Sequence, residues 1–227
     1  MHDENKYSNL MLEDVKKNPI VNSFIKAAND NLCVMGYTEH GLRHVTLISS
    51  ISENILRSLD YPKRMQELAA ITGYVHDIGN VINRHDHGQS AALIVMRILK
   101  DMGATPDEIA LIISAIGNHE EEVGEPVNPI AAALILADKS DAHKTRVRKK
   151  SVSRDDIHNR VNYAVERSFL NVNKGKKIIS LHLTIDTQIS QVMEYFEIFM
   201  PRMVMSRRAA NFLNCTFELI INKRKLL

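Results

Sequence analysis

The sequence predicts a mainly α-helical domain followed by a small α+β extension, and three observations predict it. Through the first two thirds of the chain, apolar residues recur at spacings of three and four, the period of helices with one buried face. Pro19, Pro62, Pro106 and Pro129 each stand where a first helical turn accepts proline. After about residue 153 the period shortens to two: Ile179, Leu181, Leu183 and Ile185 alternate with Ser180, His182, Thr184 and Asp186.

In order, the helical pattern covers Asn9–Lys17, Pro19–Met35, His40–Leu59, Pro62–His76, Gly88–Met102, Pro106–His119 and Pro129–Lys149, with glycine or proline in the short turns between. Within His40–Leu59, the positions His44, Ile48, Ile51 and Ile55 form one stripe. The same phasing puts His87 in line with Ala91, Ile94 and Ile98, and His119 in line with Ile109, Ile112 and Ile116. It sets Asp138 after Ala131, Leu134 and Ile135. In the extension, Val161, Tyr163 and Val165 alternate as a first strand, with Asn173–Gly175 as the hairpin turn before the second. Thr187–Leu213 reads as a helix bent or interrupted at Pro201, and Thr216–Asn222 as a third strand. The expected organisation is therefore a helical domain over 1–152 and an α+β extension over 153–227, without internal repeats or low-complexity stretches.

Composition excludes several classes. At 227 residues the chain fits one domain, or one with a modest appendage. A hydrophobic content of 44% with 25% charged residues is that of an ordinary soluble protein. The net charge of +2 leaves any basic surface local, and 5% aromatics without tryptophan disfavour base stacking, so nucleic acid is the weaker partner. Cys33 and Cys215 make no disulfide or zinc pattern, and two free thiols suit a reducing cytoplasm. Met1–Lys17 has no hydrophobic signal core, and the longest apolar run, Ile130–Ala137, is too short to span a bilayer. A soluble cytoplasmic protein with no membrane partner is expected.

Six polar side chains interrupt the apolar stripes: His44, the pair His76–Asp77, His87, His119 and Asp138. Any one alone reads as a hydrogen-bonded core residue. Five helices each aiming one inward read differently, because buried imidazole and carboxylate are costly without partners. These are the ligand types of borderline and hard divalent metals, so a metal site is expected. His85, in a loop, is an alternative to His87. His40 lies one turn before His44 on the same face, and is either an acid–base group or a capping or solvated first-turn residue. Lys139, His143, Arg146 and Lys150 would make one cationic face if the last helix runs that far, suited to phosphate or merely solvated. The broader run Lys144–Arg154 is a weaker nucleic-acid candidate. Glu120–Glu122 reads as a solvated helix end, with Glu120 as a second partner for His119.

The set His44, His76-Asp77-Ile78-Gly79, His87-Gly88, Asn118-His119-Glu120 and Ala137-Asp138-Lys139 resembles the HD superfamily of metal-dependent phosphohydrolases over roughly Thr38 to Asp141. The resemblance implies an HD-domain helical bundle around a metal centre. His44, His76, Asp77 and Asp138 would hold a first ion, and Asp77, His87 and His119 a second, with a bridging hydroxide between them. So many imidazoles favour manganese, iron, zinc, cobalt or nickel, one or two ions, over magnesium alone. The implied activity is hydrolysis of a phosphomonoester or phosphodiester of a nucleotide or other small phosphate ester. Asp77 would bridge the ions. His40 would protonate the leaving oxygen, as the histidine at that offset does in cyclic-nucleotide phosphodiesterases, and Lys139 and Arg146 would hold phosphate.

The chain also departs from known branches. Asn80 replaces a common lysine, and a single histidine without a Gly-Tyr-Pro disfavours cyclic di-GMP as substrate. Gly79 and Asn80 stand near the place of the Glu-Asp pair of stringent-response hydrolases. Two other readings share the motif: an HD-type di-iron oxygenase, with the same four histidines and two aspartates, and a regulatory HD module whose catalysis has lapsed. The extension is expected to cap the site or to form a homodimer contact through exposed strands.

Overall fold

Local chemistry at their starts sets where three of the helices begin. Asn18, Thr105 and Asn128 accept hydrogen bonds from the backbone N–H groups of Ile20 and Val21, Glu108, and Ala131, each followed directly by a proline. The computed structural model describes residues 9–148 and 157–226. The helical part holds α1 (Leu12–Lys17), α2 (Pro19–Val34), α3 (Leu42–Ser58), α4 (Lys63–Val75), α5 (His87–Asp101), α6 (Pro106–Gly117) and α7 (Pro129–Ser140). A 3₁₀ turn, Ile78–Val81, joins α4 to the loop before α5. Pro62 stands one residue before α4 instead of inside its first turn.

The run Ile130–Ala137, too short for a membrane, is the centre of the protein: every residue in it is buried. Helix α7 lies among α3, α4, α6 and the later helix α9 (Val192–Phe212), which explains why it is apolar all round. Helices α3 and α4 meet at Gly73, where a Cβ would come within 2.8 Å of the Ser49 backbone. Only a residue without a side chain permits that approach.

The structure corrects the sequence reading in three places. Helix α7 ends at Ser140 and does not continue to Lys149. The Asp141 carboxylate is drawn onto His44 and Arg43, the chain leaves the helix, and a separate 3₁₀ turn, Lys144–Arg146, follows. The cationic face through Lys139, His143 and Arg146 is therefore broken, and Lys150, with the rest of the run beyond Arg148, lies outside the described residues. The supposed strand at Val161–Tyr163 is instead helix α8 (Ile157–Ala164). Val161 and Val165 are both buried, and a separation of four suits a helix as well as a strand. Pro201 lies within α9, which runs on through it uninterrupted.

The strands are β1 (Val165–Asn173), β2 (Ile178–Ile185), β3 (Thr216–Ile221) and β4 (Arg224–Lys225), in the order β1-β2-β3-β4. The β1–β2 pair is an antiparallel hairpin, as the Asn173–Gly175 signal suggested. The β2–β3 pair is parallel, because α9 carries the chain across between them; Leu181 pairs with Leu219. The short strand β4 runs antiparallel to β3 and was not anticipated. Ile179, Leu181, Leu183 and Ile185 are buried as the alternation predicts, joined by Phe217, Leu219 and Ile221. One apolar core runs from Leu10 to Ile221 through both parts of the chain. The expected boundary at 152/153 falls outside the described residues. No helix among the described residues is long and apolar enough to cross a membrane.

Because α3 and α4 touch through Gly73, Gly73→Ala should destabilise the fold by about 1–3 kcal/mol, the range of overpacking. The urea midpoint should fall with an unchanged slope. An unmoved midpoint would show that the two helices separate without penalty.

Candidate metal centre

Helix ends bring the polar residues together. His44 comes from the first turn of α3, His76 and Asp77 from the close of α4, and His87 opens α5. His119 follows the end of α6, and Asp138 sits in the last turn of α7. Gly79 makes the convergence possible. A Cβ there would lie 2.0 Å from the carbonyl oxygen of His87 and 2.5 Å from the Ala91 nitrogen. The glycine of the His-Asp-Ile-Gly string thus lets the start of α5 rest on the turn that carries Asp77.

The donor atoms form two half-sites joined by one carboxylate. Asp77 Oδ2 lies 3.5 Å from both His44 Nε2 and His76 Nε2. Asp138 Oδ1 closes that side, 3.4 Å from His44 Nε2 and 3.8 Å from His76 Nε2. Asp77 Oδ1 turns the other way, 3.3 Å from His87 Nε2 and 3.9 Å from His119 Nε2. Ligands sharing an ion at bonds of about 2.0–2.2 Å place neighbouring donors roughly 3–3.5 Å apart, so these groups fit a divalent metal. The sets His44–His76–Asp77, His76–His119–Asp138 and Asp77–His87–His119 each gather their donors within 4.8 Å. Among the described residues, Asp77 Oδ2 is a buried oxygen without a hydrogen-bond partner, a position that a cation satisfies.

Every histidine of the cluster is pinned from behind. Its Nδ1–H donates to Asp141 Oδ2 (2.7 Å) for His44, to the Gly73 carbonyl (2.9 Å) for His76 and to the Ile116 carbonyl (2.6 Å) for His119. For His87 the acceptors are the Arg84 carbonyl and Glu120 Oε2, both at 3.1 Å. With the protons assigned to Nδ1, all four Nε2 lone pairs point into one space, the arrangement that ligating histidines require. Lys139 Nζ donates to Asp138 Oδ2 at 2.7 Å, leaving Oδ1 toward the histidines. Asn80 Nδ2 donates to Asp77 Oδ1 at 3.2 Å.

Burial alone would raise the Asp77 and Asp138 carboxyls. Neighbouring charge outweighs it, chiefly from His76 and His87 for Asp77 and from Lys139 for Asp138, and holds both well below the usual carboxylate range. Burial would lower the His87 imidazole, but Asp77 and Glu120 raise it to about 9. His119 goes the other way, pushed down to about 3 by burial and by the charges of His87 and His76. A proton on His87 is therefore the local stand-in for a metal cation.

The structure brings all six expected ligands together and reassigns the residues around them. His40 is buried beside His44, with ring centroids 5.3 Å apart. Its Nδ1 donates to the Thr38 carbonyl at 2.8 Å, and its Nε2 accepts from Arg146 Nη2 at 2.7 Å. Burial and Arg146 push it well below the usual histidine range. Both ring nitrogens are already hydrogen-bonded within the protein, where the resemblance implies acid–base work on a leaving group. Arg146, expected to grip phosphate, is 2% exposed and bonds the Asp141 carbonyl at 2.7 Å and the Glu39 carbonyl at 3.3 Å. It braces the loop behind the site. Lys139 is buried too, and its ammonium pairs with Asp138 and, at 3.1 Å, with Glu121. His85 is exposed and outside the cluster. Glu120 serves His87 instead of His119, and Glu121 is an ion-pair partner, not a solvated end.

Sequence reasoning missed Asp141, which orients His44, and Arg84, whose Nη1 lies 3.4 Å from His87 Nε2. Asp141 falls one turn after Asp138, a visible signal; nothing in spacing singled out Arg84.

Residues 37–143 match the family model described as the HD domain, so this part of the chain is an HD domain. The chain is also similar to the uncharacterized protein MJ1020 of Methanocaldococcus jannaschii. They are 28% identical over 213 residues, covering 82% of this chain and 80% of that protein.

Metal uptake needs neutral His87, so loading at pH 7 should release roughly one proton, and affinity should fall as pH drops below the His87 value of about 9. Calorimetry in buffers of different ionisation enthalpy measures the release; proton-free uptake would refute this assignment. Asp77→Ala should bind no transition metal while keeping its helical circular dichroism, whereas His119→Ala should retain one ion at most.

Proposed function

We propose that this HD-domain chain is a metal-dependent phosphohydrolase acting on a small phosphate ester, a nucleotide foremost, in which His44, His76, Asp77, His87, His119 and Asp138 would hold one or two divalent transition ions. The observation that supports this most is the division of the Asp77 carboxylate, one oxygen toward His44, His76 and Asp138, the other toward His87 and His119. Imidazoles and carboxylates without thiolate suit manganese, iron, zinc, cobalt or nickel. Bound as a pair, such ions lower the pKa of water and offset charge on both oxygens of an in-line phosphoryl displacement.

The chain's own residues supply position. Asp141 and Lys139 fix the orientation of His44 and Asp138, and Arg146 and His40 lock the loop behind them. Arg84 supplies a guanidinium at the His87 side, where its contacts are the neutral Asn80 amide oxygen, the Tyr37 ring and His87. A guanidinium in that state suits a phosphoryl oxygen. Beside the ligand set it supports an anionic substrate.

The manganese-loaded protein should release phosphate from members of a panel of phosphate esters and cyclic nucleotides under anaerobic conditions. Asp77→Ala should lower kcat at least ~1,000-fold, on the order of removing a group acting on both ions. No phosphate release, together with oxygen consumption by an iron-loaded sample, would establish the oxygenase instead. Neither activity in a metal-replete sample would establish a lapsed module.

A further inference from the structure

Beside the metal centre lies a cavity of about 360 Å³, within the ~300–1,000 Å³ of small-molecule sites. Both parts of the chain build it: Tyr37, His40 and Arg84 from the helical part, Asn162 from α8, and Phe199 and Arg202 from α9. Each of its two guanidinium groups rests on an aromatic ring. Arg84 Cζ is 5.6 Å from the Tyr37 centroid, and Arg202 Cζ is 4.7 Å from that of Phe199. Such seating fixes the guanidinium plane without using its N–H donors.

The two arginines are anchored to opposite half-sites. Arg84 Nη1 lies 3.4 Å from His87 Nε2. Arg202 Nε pairs with Glu121 Oε1 at 3.0 Å, and the same oxygen pairs with Lys139, which holds Asp138. Among the described residues no carboxylate lines the cavity. Glu121 offsets part of the Arg202 charge from behind, yet the described lining presents two guanidinium groups and no carboxylate, which favours an anion. A phosphoryl group at the metal centre occupies Arg84; Arg202, on a separate element, remains for another negative group.

We infer that the cavity takes a small phosphate ester carrying a second anionic group, a further phosphate or a carboxylate, and that Arg202 is the specificity-determining residue that binds it. The placement of the scissile phosphoryl rests on the phosphohydrolase reading. The C-terminal extension thereby sets which ester the HD domain accepts.

Three phosphonates, which the enzyme cannot cleave, separate the possibilities: propylphosphonate with one anionic group, phosphonopropionate with an added carboxylate, and propylenediphosphonate with a second phosphonate. Titrated into the manganese-loaded protein, one or both of the latter two should bind on the order of tenfold tighter than propylphosphonate, about one charge-assisted hydrogen bond. The tighter one identifies the second group. Arg202→Met keeps an apolar stem on Phe199 and removes the charge. It should erase the gain while leaving propylphosphonate affinity and metal content unchanged. The inference is overturned if the three bind alike, if none binds, if Arg202→Met keeps the gain, or if it loses metal and propylphosphonate together, which would mark a purely structural role. Ester turnover tests the phosphohydrolase reading separately: hydrolysis without second-anion preference sinks only this inference, and Arg202-dependent binding without hydrolysis sinks only that reading.

Discussion

Asp77 is a buried carboxylate facing imidazoles on both sides, and most of the molecule is arranged to keep it there. An ionised group in a protein interior costs several kcal/mol unless it is paired, against a total stability of about 5–15 kcal/mol for an ordinary domain. Asp77 and Asp138 both stay ionised, held so by His76, His87 and Lys139. Without a metal, the balancing positive charge comes from Lys139 and from the proton that Asp77 and Glu120 retain on His87. A divalent ion supplies the same compensation and also satisfies Asp77 Oδ2. The cluster therefore favours cation binding through its own electrostatics.

That constraint explains the architecture around it. Four imidazoles can converge only if each ring is fixed by its other nitrogen, and the acceptors are the carbonyls of Gly73 and Ile116 and the Asp141 carboxylate at helix ends, with the Arg84 carbonyl from the loop before α5. Helix termini carry carbonyls without intrahelical partners, so α4 and α6 satisfy their own ends by orienting ligands. Asp141 serves twice. It fixes His44, and by doing so it draws the chain out of α7, which turns Arg146 inward to bond the Asp141 carbonyl and His40.

Much of this was legible in the sequence because periodicity reports burial. His44 extends the apolar stripe of α3, and histidines that recur on apolar faces of several helices have few explanations besides convergence. What escaped was anything fixed by pairing instead of period. Lys139 and Arg146 looked like a solvent-facing cationic stripe, yet both are buried, because carboxylates and carbonyls that the sequence places far away, or across a turn, meet them. Glu121 and Arg202 are 81 residues apart by numbering and touch at 3.0 Å. Val161 and Val165 misled for the opposite reason: a separation of four satisfies both periods, and only the packing of α8 against α9 decides between them.

The position of α9 carries the last step. A crossover helix between parallel strands β2 and β3 must pack somewhere, and here it packs on α7, the helix that carries Asp138. The salt link from Arg202 through Glu121 to Lys139 therefore runs from the extension to Asp138 in three contacts. Burial opposes ionisation of Glu121, but Lys139 and Arg202 hold it down at about 2, so the link stays charged across the neutral range. An extension joined to the helical part by a shared apolar core, and to its metal centre by fixed charges, is a wall of the site. The helical part supplies the histidines and aspartates that could hold a metal, and α8 and α9 supply part of the wall beside them.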